Sequence, residues 1–302
     1  MALITRLRSI AISAADPDAL LGFYVDTWGL RPVDRTPEGA IRLRAAGAEH
    51  HVLAIEPGDG HSLERVTLAA ESVAAVNEVA RRARERGLVI ERGPGWSGDH
   101  AAGYAVVVRD PEGRRVEVSA DVPGWTEAPS PHGGPDRLSH IVLNCADLAA
   151  SKDFFLTVLG FRISDWYEND QMVFLSCNEL HHCVVLAPGQ WASLNHVAFE
   201  VASGDDVMRA LGRMRKAGHD TVWGPGRHGP GGNVFCYFVD PAGNVIEYTA
   251  ELQILDEEWQ PHAWARTADN ADVWGTGGGI SAAVIEAMSN PPAHVRAAGP
   301  TP

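Results

Sequence analysis

Cysteine is scarce in this 302-residue chain. The four present (Cys145, Cys177, Cys183 and Cys236) all lie in the second half, and none stands in a CxxC pair. That pattern excludes a disulfide framework and a zinc ribbon. Basic residues are also few: 25 Lys+Arg face 39 Asp+Glu, a formal charge of −14. Nucleic acid and anionic membrane are therefore excluded as main partners, because either needs a basic face. No run of 18 apolar residues occurs, so no segment is expected to span a bilayer. The opening MALITRLRSIAIS lacks a long apolar stretch ending at a cleavage site, and a cytoplasmic location is the expectation. What is present is ordinary for a soluble globular protein, with 45% hydrophobic and 21% charged residues.

The chain reads as a duplication. TRLRSIAIS (5–13) lies over DRLSHIVLN (136–144), and GFYVDTWGLRPVD (22–34) over DFFLTVLGFRISD (153–165). VAAVNEVARRARERG (73–87) matches GDDVMRALGRMRKAG (204–218), and VVVRDPEGRRVEV (106–118) matches YFVDPAGNVIEY (237–248). Each repeat divides again: an alternating strand, an amphipathic helix, then three short strands. The second module, for example, runs LSHIVLN, DLAASKDFFLTVLG, FRISDWY, MVFLSCN and HHCVVLAP, then SLNHVAFEV and its own helix and strands. DPEGR and DPAGN supply turns, proline presetting φ and glycine accepting positive φ. The expected fold class is α+β: two tandem modules, each a pair of βαβββ units forming a curved mixed sheet. The expected divisions are an N-terminal module at 1–122, a Pro/Gly-rich linker at 123–137, a catalytic module at 138–252 and a tail at 253–302. Residues 289–302 read as poorly ordered.

Comparing the two repeats isolates one constellation. In the second module, separate strands carry His140, His196 and Glu247, where the first has Ser9, Arg65 and Glu117. Two imidazoles and a carboxylate can meet inside a curved sheet, since each strand alternates its side chains inward and outward. A set of this kind, leaving three positions open, suits Fe(II) or Mn(II) that must hold a substrate and dioxygen together. Arg65 would repel a cation, so the first module is expected to be metal-free. His50 and His51 there read as structural. GTGGG (276–280) has no preceding strand and no following GK[ST], so it is not a phosphate loop.

With these residues in view, the chain resembles the two-module extradiol ring-cleaving dioxygenases of the vicinal oxygen chelate superfamily, the group of catechol 2,3-dioxygenase and dihydroxybiphenyl dioxygenase. The resemblance covers roughly residues 5–275 and is most specific at GRHGPGGNVFCYFVDPAGNVIEY (226–248). There His228, Tyr237, Pro241, Gly243 and Glu247 fill the family's Gly-x-His, Tyr, Pro-x-Gly and Glu places. Cys236 stands where a large aliphatic residue usually precedes the tyrosine, and Gly231 where the biphenyl branch commonly has Asp.

The resemblance implies extradiol cleavage of a catechol by O2, with Fe(II) foremost as cofactor and Mn(II) an alternative. The product is of the muconic semialdehyde type. It implies that His182, not His181, faces the metal as acid–base, with His181 turned outward or into a structural hydrogen bond. His228 and Tyr237 become hydrogen-bond donors to bound oxygens. The tail resembles a segment that closes over the site, with Trp259 and Trp264 as pocket walls and Arg227 or Arg266 meeting a substrate carboxylate. Asn195 is a weaker substrate contact, expected rather to hydrogen-bond backbone. The implied partners are a small aromatic diol, O2 and further copies of the chain, as a tetramer or larger. Ring cleavage of a hydroquinone or polyhydroxylated heteroaromatic is the alternative within enzymes, and a metal-free small-molecule binding protein of the same fold the alternative outside them.

Overall fold

The computed structural model describes residues 3–58, 60, 62–99, 101–125 and 133–291. Residues 126–132 of the expected linker, and the end of the chain from residue 292, expected to be poorly ordered, lie outside the described residues.

The first βαβββ unit comprises β1 (Ile4–Ala14), α1 (Pro17–Gly22), β2 (Arg31–Arg35), β3 (Ile41–Arg44) and β4 (Leu53–Pro57). The second comprises β5 (Ser62–Ala70), α2 (Val73–Glu85), β6 (Ile90–Trp96), β7 (Tyr104–Arg109) and β8 (Arg115–Ala120). The plan repeats as β9 (Arg137–Cys145), α3 (Leu148–Asp153), β10 (Arg162–Tyr167), β11 (Met172–Ser176) and β12 (Val184–Pro188). The last unit is β13 (Ser193–Glu200), α4 (Gly204–Lys216), β14 (Trp223–Arg227), β15 (Val234–Val239) and β16 (Val245–Ala250). The tail adds β17 (Ala263–Trp264), α5 (Ala268–Ala271) and α6 (Ala282–Ser289).

Within each unit the last strand pairs parallel with the first, and two units join antiparallel, β1 on β5 and β9 on β13. The result is an eight-stranded sheet and a nine-stranded sheet, the latter in the order β14-β15-β16-β13-β9-β12-β11-β10-β17. Local sequence drives the repetition. Asp16 and Asp147 accept from the amides of Ala19 and Ala150, while Ser72 and Ser203 accept from those of Ala75 and Asp206. Each caps a helix N-terminus, where the first amides lack partners inside the helix.

One expectation needs correction. The first helix of each module is not a single α-helix running to its glycine. It passes into a π-helical turn, Phe23–Trp28 in the first module and Phe154–Val158 in the second. The wider turn suits consecutive bulky apolar residues, because it lets Phe23, Tyr24 and Trp28, or Phe154, Phe155 and Val158, all go inside.

These turns also join the modules. Trp28 stacks on Tyr248 at 3.7 Å between ring centres, and Tyr24 donates its hydroxyl to Asp240 at 2.9 Å. One continuous apolar cluster runs from Ile4 to Ala250 through both sheets. The described end of the linker is tied down as well, with Pro135 and Asp136 carbonyls accepting from the amides of Ala46 and Gly47.

Candidate metal centre

Strand register brings the site together. On β13, Ala198 lies level with His140 of β9 and with Glu247 of β16. His196 lies two residues from Ala198 and so shares its face. The alternate positions Ile141, Val197 and Ile246 point into the apolar core. Three neighbouring strands thus raise two imidazoles and a carboxylate from one face, all buried.

Their ligand atoms lie within 4.8 Å of one another. Glu247 Oε2 sits 3.3 Å from His140 Nε2 and 3.4 Å from His196 Nε2. Neighbouring ligands bound at ~2.1 Å to one ion stand ~3 Å apart, so the spacing fits a shared cation. A sharper sign is that His196 Nε2 and Glu247 Oε2 are buried without a hydrogen bond. Buried polar atoms are seldom left so, and a metal ion would satisfy both.

The surroundings hold the ligands in the required form. His196 Nδ1 donates to Asn195 Oδ1 at 2.8 Å, leaving Nε2 with a free lone pair. Asn195 in turn donates to Asn144 Oδ1 at 2.9 Å, and Asn144 donates to Ser193 Oγ at 2.8 Å. Asn195 therefore orients a ligand through side-chain partners rather than bonding backbone, as outer partners of metal sites commonly do. Burial pushes the Glu247 carboxyl up, but His140 and His196 outweigh it and hold the group below the usual carboxylate range. Burial pushes His196 below the ordinary imidazole value, the neutral form that a ligand needs.

In the first module the matching face carries Ser9, Arg65 and Glu117. The Arg65 guanidinium lies 3.8 Å from Glu117 and 3.5 Å from Glu56, while Arg92 lies 3.3 Å from Glu117. A fixed organic cation thus sits beside the remaining carboxylate. His50 and His51 are buried there, His51 Nε2 lying 3.4 Å from Ser9 Oγ. They fall 131 residues before His181 and His182, so the histidine pair belongs to the duplication.

His140 and His196 border a cavity of about 520 Å³ that also receives His182, His228 and Tyr237. Its walls include Val142, Phe174, Trp191, Trp223, Ile280 and Met288. That volume lies within the range of small-molecule sites. A second hollow of about 240 Å³, between the modules near Glu49, Arg137 and Leu138, contains none of the proposed ligands.

His181 and His182 precede β12 rather than alternating along it. Their rings nevertheless part: His182 lines the cavity, while His181 turns inward and places Nε2 3.0 Å from Asp165 Oδ2. Burial, together with the neighbouring His140, holds His182 well below the usual imidazole value.

His228 departs from its expected role. Its Nδ1 lies 2.7 Å from the Ala271 carbonyl and can only donate there, so Nε2 accepts from the Tyr237 hydroxyl at 3.1 Å. Burial pushes its pKa down to about 4. Neutral His228 therefore has no second N–H for a bound oxygen, and it orients Tyr237 instead. Burial and the Glu247 charge raise Tyr237 well above the phenol value, so it keeps its proton.

The tail also differs from expectation. Arg266 does line the cavity, donating to Gln171 at 3.2 Å. Arg227 does not: it pairs with Glu251 and lies over Trp274 at 4.8 Å. Trp259 and Trp264 lie outside the cavity lining, because their indole N–H groups are drawn to Ser164 O at 2.8 Å and Asp165 Oδ2 at 2.7 Å. The walls assigned to those tryptophans come from Ile280, Ile285 and Met288, at or beside α6. The apolar spacing of AAVIEAM was the available signal for that helix.

The chain belongs to the Glyoxalase/Bleomycin resistance protein/Dioxygenase superfamily, whose model matches residues 6–118 and 137–248. Among solved structures, the Mn(II)-bound glyoxalase from Novosphingobium aromaticivorans is 36% identical, with 94% of each chain covered and a TM-score of 0.89. Metapyrocatechase 2 of Cupriavidus necator is 32% identical, over 47% of this chain and 45% of its own length. The manganese-dependent 2,3-dihydroxybiphenyl 1,2-dioxygenase of Geobacillus genomosp. 3 is 27% identical, over 86% of this chain and 90% of its own. The match thus spans about half the length of the first relative and most of the second. No described helix is long and apolar enough to cross a membrane.

Proposed function

We propose that this protein is an extradiol dioxygenase that opens a catechol-type ring beside its two hydroxylated carbons, with Fe(II) or Mn(II) held by His140, His196 and Glu247. The carrying observation is the pair of unsatisfied buried ligand atoms beside a cavity that also holds His182 and Tyr237. When bound, the metal supplies a Lewis-acidic centre with an open face for the two ring oxygens and O2.

The chain's own groups supply the rest. His182, neutral and buried, takes a proton from the diol and later returns it, general acid–base work in a site that excludes water. Tyr237 gives its one O–H to His228 Nε2 in the free site, and must release that bond to donate toward the oxygen on which charge builds. Phe174 and Trp223 hold the ring by apolar contact, and Arg266 places a cation where an acidic substituent would sit. The tetrameric or larger homo-oligomer and the cytoplasmic location extend this reading on family resemblance.

The decisive test is a screen of catechols under air with Fe(II) or Mn(II), reading near-visible absorbance of a semialdehyde, alongside about one metal ion per chain. His196→Ala is expected to lose metal and activity together, while His182→Phe keeps metal and slows turnover by about 100-fold or more. An active, metal-replete His196→Ala protein would overturn the ligand assignment. The alternative of a metal-free binding protein is tested by the same metal analysis, and protein without bound metal after loading with Fe(II) or Mn(II) would favour it.

A further inference from the structure

The histidine pair is the inner end of a buried chain that begins in the tail. Asp165, fully buried on β10, accepts from the amide of His262 at 3.0 Å and from the Trp264 indole at 2.7 Å. Strand β17 delivers both donors by pairing with β10, Ala263 against Trp166 and Trp264 against Tyr167. Asp165 Oδ2 also faces His181 Nε2 at 3.0 Å, and His181 Nδ1 faces His182 Nδ1 at 2.9 Å. Trp259 packs edge-on against His181, with 5.8 Å between ring centres, and fixes its plane.

Donor and acceptor roles along this chain follow from one fact: an ionised carboxylate only accepts. Facing Asp165, neutral His181 carries its proton on Nε2, so its Nδ1 offers a lone pair. His182 Nδ1 must then be the donor, which leaves His182 Nε2 bare. A bare Nε2 is the form that can take a proton from a diol. Three hydrogen bonds, not the cavity itself, decide whether His182 is a base.

We propose that Asp165 and His181 are positioning residues that set the tautomer of His182, and that the tail strand is required because it anchors Asp165. Replacing Asp165 by Asn would introduce an N–H where both donors and His181 now point. If that N–H faced His181, every role would reverse, and His182 would present Nε2–H to the substrate. This rests on the ring-cleaving reading for its consequence in turnover, but not for the tautomer itself.

The test uses the full chain, labelled with 15N at histidine and freed of metal, with the His182 signals assigned by their loss in His182→Phe. The expected result is a proton on Nδ1 of His182 in the unaltered protein and on Nε2, or divided between the two, in Asp165→Asn. In the metal-loaded enzyme, Asp165→Asn is expected to lower kcat by about 100-fold or more, as loss of a general base does. KM and bound metal should stay within about twofold, since neither ligand nor cavity wall changes. Trp264→Phe, which keeps an aromatic ring but removes the N–H, should lower kcat less, with the same unchanged KM.

A proton on Nε2 of His182 in the unaltered protein would overturn the proposal, and so would an Asp165→Asn enzyme with full kcat. A matching rise in KM and loss of metal would assign Asp165 a structural role only, also against it. If Asp165→Asn fails to fold, the spectrum of the unaltered protein still decides. If no diol is cleaved, the functional reading falls while the nitrogen spectra decide the tautomer independently.

Discussion

Gly231→Ala perturbs the site without replacing a ligand or a titrating group. Gly231 has φ +77°, a conformation that costs an L-residue ~1–2 kcal/mol. A Cβ there would stand 2.9 Å from His182 Cε1, 3.0 Å from Leu252 Cδ1 and 3.2 Å from His181 Nδ1. Neither ring can yield easily, because the two are hydrogen-bonded at 2.9 Å and His182 packs on Phe174 at 5.2 Å between ring centres. Overpacking of this kind costs ~1–3 kcal/mol, for a total of about 2–5 kcal/mol with the backbone term. The control is Gly232→Ala, also at positive φ (+60°) but with nothing within 4 Å of the added carbon, so only the backbone cost applies. Urea midpoints measure both, and kcat should fall for Gly231→Ala alone. Equal destabilisation in the two variants, with equal kcat, would refute the claim that Gly231 is kept small by the histidine pair.

Two further outcomes follow. Metal-free protein should lose stability as pH falls from about 6.5 toward 4. The His228 pKa is depressed to about 4 in the fold, so the unfolded chain takes up the proton first and is favoured across that window. The contribution of His228 reaches about 3 kcal/mol at the lower end, and burial depresses His182 and His51 in the same direction. Urea titrations at pH 7.5 and 4.5 read it, and equal midpoints would refute it. Trp28→Ala should cost about 3–5 kcal/mol, since the ring is fully buried and stacks on Tyr248 of the other module. A loss below 1 kcal/mol by the same titration would show that the modules do not depend on that contact.

The duplication was readable because its constraints are local. Caps, turns and strand alternation each act within a few residues, and they recur in both copies. Asp16 and Asp147 begin helices for the same reason, and the DPxG turns close the same hairpins. His140, His196 and Glu247 stood out because the other copy lacks two of the three. The π-helical turns escaped, since two bulky residues in succession suit either helix type until a second module presents a surface to pack against. Arg227, Trp259 and Trp264 were read as cavity residues from type and location alone. Glu251, the partner of Arg227, follows the end of β16, while Ser164 and Asp165 lie on β10, which the tail meets only after the chain has folded.

Sequence alone thus determined the repeated units, the order of the strands along the chain and the residue types able to hold a divalent cation. The tertiary structure decided which atoms are left without partners, which histidine nitrogen carries a proton and which segment walls the cavity. These depend on distances between strands far apart in the chain. Hydrogen-bond donors and acceptors are fixed by what they face, and covalent order does not specify that.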